Sequence, residues 1–151
     1  GVIGAGGGKI LQVVPKTQTF SSNVTTTSSS FTVLSTTLNT SITPSASSSK
    51  IFVIMTAPVY AANPYNGGIA SFAIGRNGST INGDDYSYAD MYVNTNGQCY
   101  MPLTMSILDS PNTDQSVTYN FMARTNSSDA VGIGAYGRNE VVSITLFEVG
   151  A

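Results

Sequence analysis

Histidine is absent from this chain, and Cys99 is its only cysteine. Histidine is the usual general base near neutral pH and the commonest metal ligand, so its absence removes the ordinary routes to acid–base catalysis and metal binding. A lone cysteine cannot form a disulfide within the chain. We therefore expect no enzymatic activity, no cofactor and no resident metal.

Charge is scarce as well, because six Lys and Arg and eight Asp and Glu side chains make up only 9% of the residues. Six scattered basic residues cannot form the positive stripe that binds nucleic-acid phosphates, so nucleic acid is excluded as a partner. Solubility must come instead from neutral polar groups, since Ser, Thr and Asn make up roughly a third of the chain.

Long apolar runs are also missing. No segment is long enough to span a bilayer, and no basic start followed by an apolar centre marks a secretory signal peptide. We therefore expect no membrane insertion. Because the chain does not begin with Met, we expect it to be a fragment or a processed product.

The patterns that are present are those of short β-strands. Residues 50–56 are apolar on both faces and predict a central strand. Asn77-Gly78 is the dipeptide that type I′ hairpin turns favour. No segment has apolar residues spaced as in an amphipathic helix. The sequence predicts an all-β, antiparallel sandwich after a glycine-rich connector, with the connector at residues 1–8 and the sandwich at 9–151.

An uninterrupted alternation over residues 99–107 predicts a strand with one buried face. Its inner positions are Cys99, Met101, Leu103, Met105 and Ile107. We expect the buried Cys99 side chain to act as a small hydrophobic group in the core. A nucleophilic thiol would instead need exposure and a basic partner.

Two strands carry a second apolar face that a small sandwich does not need for its own core. In residues 141–149, the side chains of Val142, Ile144 and Leu146 can face the core while Val141, Phe147 and Val149 point the other way. Phe52 and Ile54 do the same in the strand at 50–56. An exposed contiguous apolar face marks an interaction surface. We expect Phe52, Ile54, Phe147 and Val149 to lie at an oligomer interface.

Binding chemistry is concentrated in loops rich in tyrosine, aspartate and asparagine. Tyrosine rings pack on the C–H faces of sugars and carboxylates accept hydroxyl protons, so such loops suit a glycan. The predicted binding residues are Asp84, Asp85, Tyr86, Tyr88 and Asp90 in the loop at 82–90, with Tyr65 and Tyr136 in two further loops.

Other interpretations of the same residues stay open. The tyrosines can instead pack on neighbouring strands or subunits, with the acids as solvated turn residues. Three aspartates close together can bind calcium, but their spacing does not match a known loop. Asp84 and Asp90 can act as a glycosidase pair, but neighbours within one loop do not readily face each other across a substrate.

An ordered set of short segments runs from the start of the sandwich to its last strand. The segments are GKILQVV at 8–14, ITPS at 42–45, SKIFV at 49–53, IGRNG at 74–78, LDSP at 108–111, VTY at 117–119 and SITLFEV at 143–149. In that order the chain resembles the C-terminal domains of tail fibre proteins from marine and cyanobacterial bacteriophages.

The resemblance implies a jelly-roll-like β-sandwich at the tip of a homotrimeric fibre that binds the host surface. It implies a location in the virion, a host cell-surface glycan or protein as partner, and other virion proteins joined through the N-terminus. Three alternatives remain: a structural virion protein such as a capsid decoration or fibre-assembly domain, a lectin-like or cytokine-like trimer of cellular origin, and a glycan-degrading spike.

Overall fold

The computed structural model describes residues 8–63, 67–81, 87–94, 97–134 and 138–150, and within these ranges regular structure is almost entirely β-strand. The strands are β1 Ile10–Phe20, β2 Val24–Thr26, β3 Thr32–Val33, β4 Thr40–Ile42, β5 Lys50–Asn63, β6 Gly68–Arg76, β7 Ser79–Thr80, β8 Ala89–Val93, β9 Gly97–Asp109, β10 Val117–Thr125, β11 Val131–Ile133 and β12 Glu140–Val149. A 3-10 turn, Thr36–Leu38, separates β3 from β4.

Two antiparallel sheets contain these strands. In sheet A the order is β1-β12-β5-β11-β2, and β9 pairs with the other edge of β5. In sheet B the order is β3-β10-β6-β7, with β4 beside β10 and β8 beside β6. β5 is therefore central, as predicted from its two apolar faces.

One core fills the space between the sheets. Sheet A contributes Ile51, Val53, Met55, Val142, Ile144 and Leu146, and sheet B contributes Phe72, Ile74, Tyr119 and Phe121. All ten are almost fully buried, and burying each of the larger aliphatic ones stabilises the fold by roughly 1.5–3 kcal/mol. The predicted all-β class is confirmed, as is the predicted phase of β12, because Val141 is 54% exposed while Val142 is buried.

The predicted burial of one β9 face is only partly right. Met105 is buried, Leu103 and Cys99 are half-buried, and Met101 is 42% exposed. The prediction was wrong for Met101 because, among the described strands, β9 pairs only with β5 and so lies at the edge of the sheet. Alternation identifies the face of a strand, whereas the position of the strand in its sheet decides how deeply that face is covered.

The predicted type I′ turn is present between β6 and β7. Asn77 has φ 53° and Gly78 has φ 85°, as this turn requires at both central positions. The Asn77 side chain accepts a hydrogen bond from the Thr118 amide at 2.9 Å, and the Gly78 amide donates to Asn120 Oδ1 at 2.8 Å. The hairpin is thereby fixed to the neighbouring strand β10.

A polar cluster joins the two sheets at one end of the sandwich. Arg76 Nη1 of β6 contacts both carboxylate oxygens of Asp109 in β9, at 2.9 and 2.8 Å. The hydroxyl of Tyr119 in β10 donates to Asp109 Oδ2 at 2.7 Å. Burial, and then this hydrogen bond to a carboxylate, raise the pKa of Tyr119 well above its usual value. The phenol therefore remains a donor at any ordinary pH.

A second buried carboxylate anchors the edge of sheet A. Glu148 in β12 accepts hydrogen bonds from the Ser45 amide at 2.7 Å, the Ser45 hydroxyl at 2.6 Å and Gln12 Nε2 of β1 at 2.7 Å. Burial alone would raise the pKa of Glu148, but hydrogen bonds from Ser45, Gln12 and Ser49 outweigh it and lower the pKa to about 2. The ionised carboxylate thus ties β1 and the loop before β5 to β12.

Candidate functional site

The predicted binding residues divide into two groups. Asp84, Asp85, Tyr86, Tyr65 and Tyr136 lie outside the described residues, and their role stays a prediction. Tyr88 and Asp90 lie within them. Tyr88 directly precedes β8, whereas Asp90, which was predicted to lie in a loop, is the second residue of that strand.

Tyr88 and Asp90 occupy different environments. The Tyr88 amide donates to the Phe72 carbonyl at 2.8 Å, and its side chain packs, partly buried, against the core. Asp90 is exposed. Because alternate residues of a strand face opposite sides of the sheet, and Met91 and Val93 face the core, Asp90 lies on the outer face of sheet B. Asp90 is therefore better placed than Tyr88 to meet a ligand.

Strand pairing sets Asp90 in a row of polar side chains that crosses sheet B. Asp90 pairs with Ser71 of β6, and Ser71 pairs with Arg124 of β10. Neighbouring strands lie about 4.8 Å apart, so the Asp90 and Arg124 backbones are separated by about 10 Å. The row places a carboxylate and a guanidinium on one face, with the largely buried Ser71 hydroxyl between them.

A second row lies beside the first. Tyr92 pairs with Ile69, and the Ile69 amide donates to Asn126 Oδ1 at 2.7 Å while the Asn126 amide donates to the Ile69 carbonyl at 3.2 Å. The Tyr92 side chain is 66% exposed. The Tyr92 hydroxyl lies so close to Gly67 that a Cβ atom on residue 67 would be 2.5 Å from the hydroxyl oxygen. Glycine at this position therefore leaves room for the tyrosine.

The two rows border a surface pocket of about 360 Å³ on sheet B, which we call the Asp90 pocket. It is lined by Ser29, Ile69, Ser71, Asp90, Arg124, Thr125 and Asn126. The Arg124 guanidinium stands 4.7 Å from the centre of the Phe31 ring, a cation–π contact that restricts where its long side chain can point. The pocket thus combines charged, hydroxyl and amide groups, and the exposed Tyr92 lies on the strand beside its lining residue Ile69.

Sequence reasoning found Asp90 but missed its partners Ser71, Arg124 and Asn126. The alternation in β10 does assign Arg124 to the outer face, because Phe121 and Ala123 face the core. Nothing in the sequence gives the register that sets β6 between β8 and β10. Within the described ranges, no group of three or more His, Cys, Asp or Glu side chains is arranged to hold a metal ion.

The outer face of sheet A is different in kind, because it carries a row of apolar side chains. The register places Val13 opposite Phe147, Phe147 opposite Phe52, and Phe52 opposite Leu108. We call these four residues the apolar row. Val13 and Leu108 are 48% and 50% exposed, and the Phe52 and Phe147 ring centroids are 6.1 Å apart.

The predicted interface residues cluster on this surface. Phe52 and Phe147 form the centre of the apolar row, and Ile54 and Val149 flank it by two residues on β5 and β12. All four are half-buried. Their role in an interface stays a prediction, but the pairing shows that they belong to one continuous surface.

No protein-family model matches the chain, and a search of curated proteins also finds no match. Among the described residues, no helix has the length and apolar character needed to cross a membrane.

Proposed function

We propose that this chain is the tip domain of a phage tail fibre, a jelly-roll-like sandwich that acts as a homotrimer and binds a glycan on the host cell surface. The virion context rests on the ordered sequence segments that resemble tail fibre C-terminal domains. Two antiparallel sheets around a single core agree with the sandwich that this resemblance implies.

The Asp90 pocket is the observation that carries the binding role. A sugar offers hydroxyl groups on its rim and C–H groups on its faces. Asp90 accepts from hydroxyls, Arg124 donates to oxygens, and Tyr92 supplies a flat apolar ring at the edge. These groups are mounted on β8 and β10, which both pair with β6, rather than on free loops, and this fixes their spacing before a ligand arrives.

The apolar row supports the trimer. Its half-exposed valine, leucine and phenylalanine side chains form an apolar surface of the kind that soluble monomers rarely leave in water. Three subunits would present three Asp90 pockets, and linked weak sites gain avidity through effective concentration. The N-terminal connector would join each subunit to other virion proteins.

The proposed domain binds without catalysing a reaction. Glycosidases use two acids that flank the scissile bond. Among the described residues that line the pocket, Asp90 is the sole carboxylate.

Adsorption of labelled protein to candidate host cells tests the binding role. Asp90→Asn keeps the size of the side chain and removes its charge, so we expect adsorption to fall at least about tenfold, as for loss of one hydrogen bond to a charged group. Asp114→Asn is the matched control, because Asp114 is exposed in the loop between β9 and β10. Equal adsorption of the two variants would contradict a receptor site at Asp90.

A structural virion protein without receptor binding is the second candidate, and the apolar row favours it because an assembly surface alone would explain that row. The two functions differ in one result. A purely structural domain would form the trimer yet adsorb to no host cell, whatever residue stands at position 90.

A further inference from the structure

A groove beside the β5–β9 pair of sheet A has no part in the function proposed so far. It has a volume of about 500 Å³ and lies between the β5–β9 pair and the chain that leads into β12. Its lining residues are Pro58, Tyr100, Met101, Pro102, Gly134, Arg138 and Glu140. Pro58 is six residues along β5 from Phe52, so the groove lies about 20 Å from the apolar row.

The wall of the groove is a tyrosine held in a fixed position. The Tyr100 ring packs against that of Tyr60, with centroids 5.0 Å apart, and a Cβ at Gly134 would lie 2.6 Å from its ring carbons. Its hydroxyl donates to Gln98 Oε1 at 3.2 Å and accepts from Asn23 Nδ2 at 3.4 Å. Since the hydroxyl already has these two partners, the ring offers the groove mainly apolar surface.

The two prolines make the floor apolar and close the sheet edge to an added strand. Pro58 lies opposite Pro102, and the Pro58 carbonyl accepts from the Gly134 amide at 3.0 Å on the side away from β9. Pro58 and Pro102 therefore form a non-hydrogen-bonded antiparallel pair. In such a pair both residues direct their backbone polar atoms away from the partner strand. The Pro102 nitrogen therefore faces the free edge of β9, where it offers no donor to an incoming strand.

Opposite charges stand at the rim of the groove. Arg138 is exposed and Glu140 is partly exposed, and neither forms an ion pair with another described residue. An anionic ligand would meet the Glu140 carboxylate, and a cationic ligand would meet the Arg138 guanidinium. A neutral ligand with several hydroxyls can use both, because Glu140 accepts protons from hydroxyls and Arg138 donates to their oxygens.

We propose that this groove binds a neutral hexopyranose unit, with the C–H face of the sugar on Tyr100, Pro58 and Pro102 and its hydroxyls on Glu140 and Arg138. A pyranose ring matches the groove because it has an apolar face and a neutral polar rim. The ligand class rests on the proposed glycan-binding function, whereas the site is independent of the Asp90 pocket on the opposite sheet.

The test is a titration of the isotope-labelled full chain with methyl glucopyranoside, methyl mannopyranoside and methyl galactopyranoside, followed by backbone amide NMR. We expect at least one of these sugars to shift the Tyr100, Met101 and Gly134 signals in a saturable way. Glu140→Gln should weaken that binding about tenfold. Asp114→Asn should leave it unchanged, because Asp114 is exposed in the loop between β9 and β10 and does not line the groove. Sulfate and an oligoproline peptide are the comparison ligands.

Three results would overturn the proposal: no shift with any of the three sugars, stronger shifts with oligoproline than with sugar, or full binding by Glu140→Gln. The Asp90→Asn variant separates the two sites. If it binds sugar in the groove normally but fails to adsorb to cells, the receptor role of the Asp90 pocket stands without the groove. If adsorption is normal in all variants and the groove binds sugar, the receptor role of the Asp90 pocket fails and the groove inference stands.

Discussion

The outer faces of the two sheets are built from the same strand geometry but carry opposite chemistry. Across sheet B the pairing aligns Asp90, Ser71 and Arg124. Across sheet A it aligns the apolar row, with two phenylalanines at its centre. The row on sheet B suits a hydroxylated ligand, and the apolar row on sheet A suits another protein surface. In each case the function of a residue depends on its neighbours across the sheet, which are far away in the sequence.

One perturbation removes the Asp109 carboxylate, which joins the two sheets. Asp109→Ala leaves Arg76 and the Tyr119 hydroxyl without their shared carboxylate. We expect it to lower the free energy of unfolding by about 3 kcal/mol, as for breaking a largely buried ion pair. Urea unfolding measures this value. Asp114→Ala is the control and should change it by less than about 0.5 kcal/mol, and equal losses in the two variants would show that the cluster is not structural.

Acid should act on sheet A through Glu148. The pKa of Glu148 is about 2 in the folded chain and near 4.3 in the unfolded chain. The ionised carboxylate therefore contributes its full stabilisation above about pH 4.3, and this stabilisation is lost as the pH falls towards 2. A shift of this size corresponds to about 3 kcal/mol. Unfolding free energies of wild type and Glu148→Gln should therefore converge as the pH falls. A difference in unfolding free energy that persists at pH 2 would contradict stabilisation by the ionised Glu148 carboxylate.

A change in the apolar row should affect assembly more than folding. Leu108→Ser replaces a half-exposed side chain, so the subunit itself should lose less than about 0.5 kcal/mol. Light scattering should give wild type about three times the subunit mass of 15.7 kDa and should show dissociation of the variant. Tyr92→Ser, on sheet B, should stay trimeric. A wild-type mass near 15.7 kDa would show that no trimer forms.

Two methionines on β9, at the edge of sheet A, should differ in their effect on stability because only one of them is covered. Met105 is buried whereas Met101 is 42% exposed on the same face of β9. Met105→Ala should cost about 2–5 kcal/mol, and Met101→Ala should cost less than about 1 kcal/mol. Thermal unfolding of both variants measures the contrast, and equal costs would mean that Met101 is covered in the assembled protein.

Local patterns in the sequence predicted strands that the structure shows as β5, β9 and β12, the Asn77-Gly78 turn and the inner face of β12, because alternation and turn chemistry depend on adjacent residues. They missed β8, whose start at Ala89 falls within the predicted loop. They could not predict that β9 lies at an edge, so Met101 was placed in the core. They also could not bring Arg124 to Asp90 or Leu108 to Phe52, because sheet register is set by contacts between distant segments. Asp90 was identified by its chemistry alone, and its partners required the fold.

The division of roles between the two faces can be tested in one thiol-labelling measurement. In a Cys99→Ser background, Leu108→Cys places a thiol on the outer face of sheet A and Tyr92→Cys places one on that of sheet B, at positions 50% and 66% exposed in the single chain. If copies of the chain cover sheet A, the thiol at position 108 should react far more slowly than the thiol at position 92. Equally rapid labelling at both positions would contradict the account.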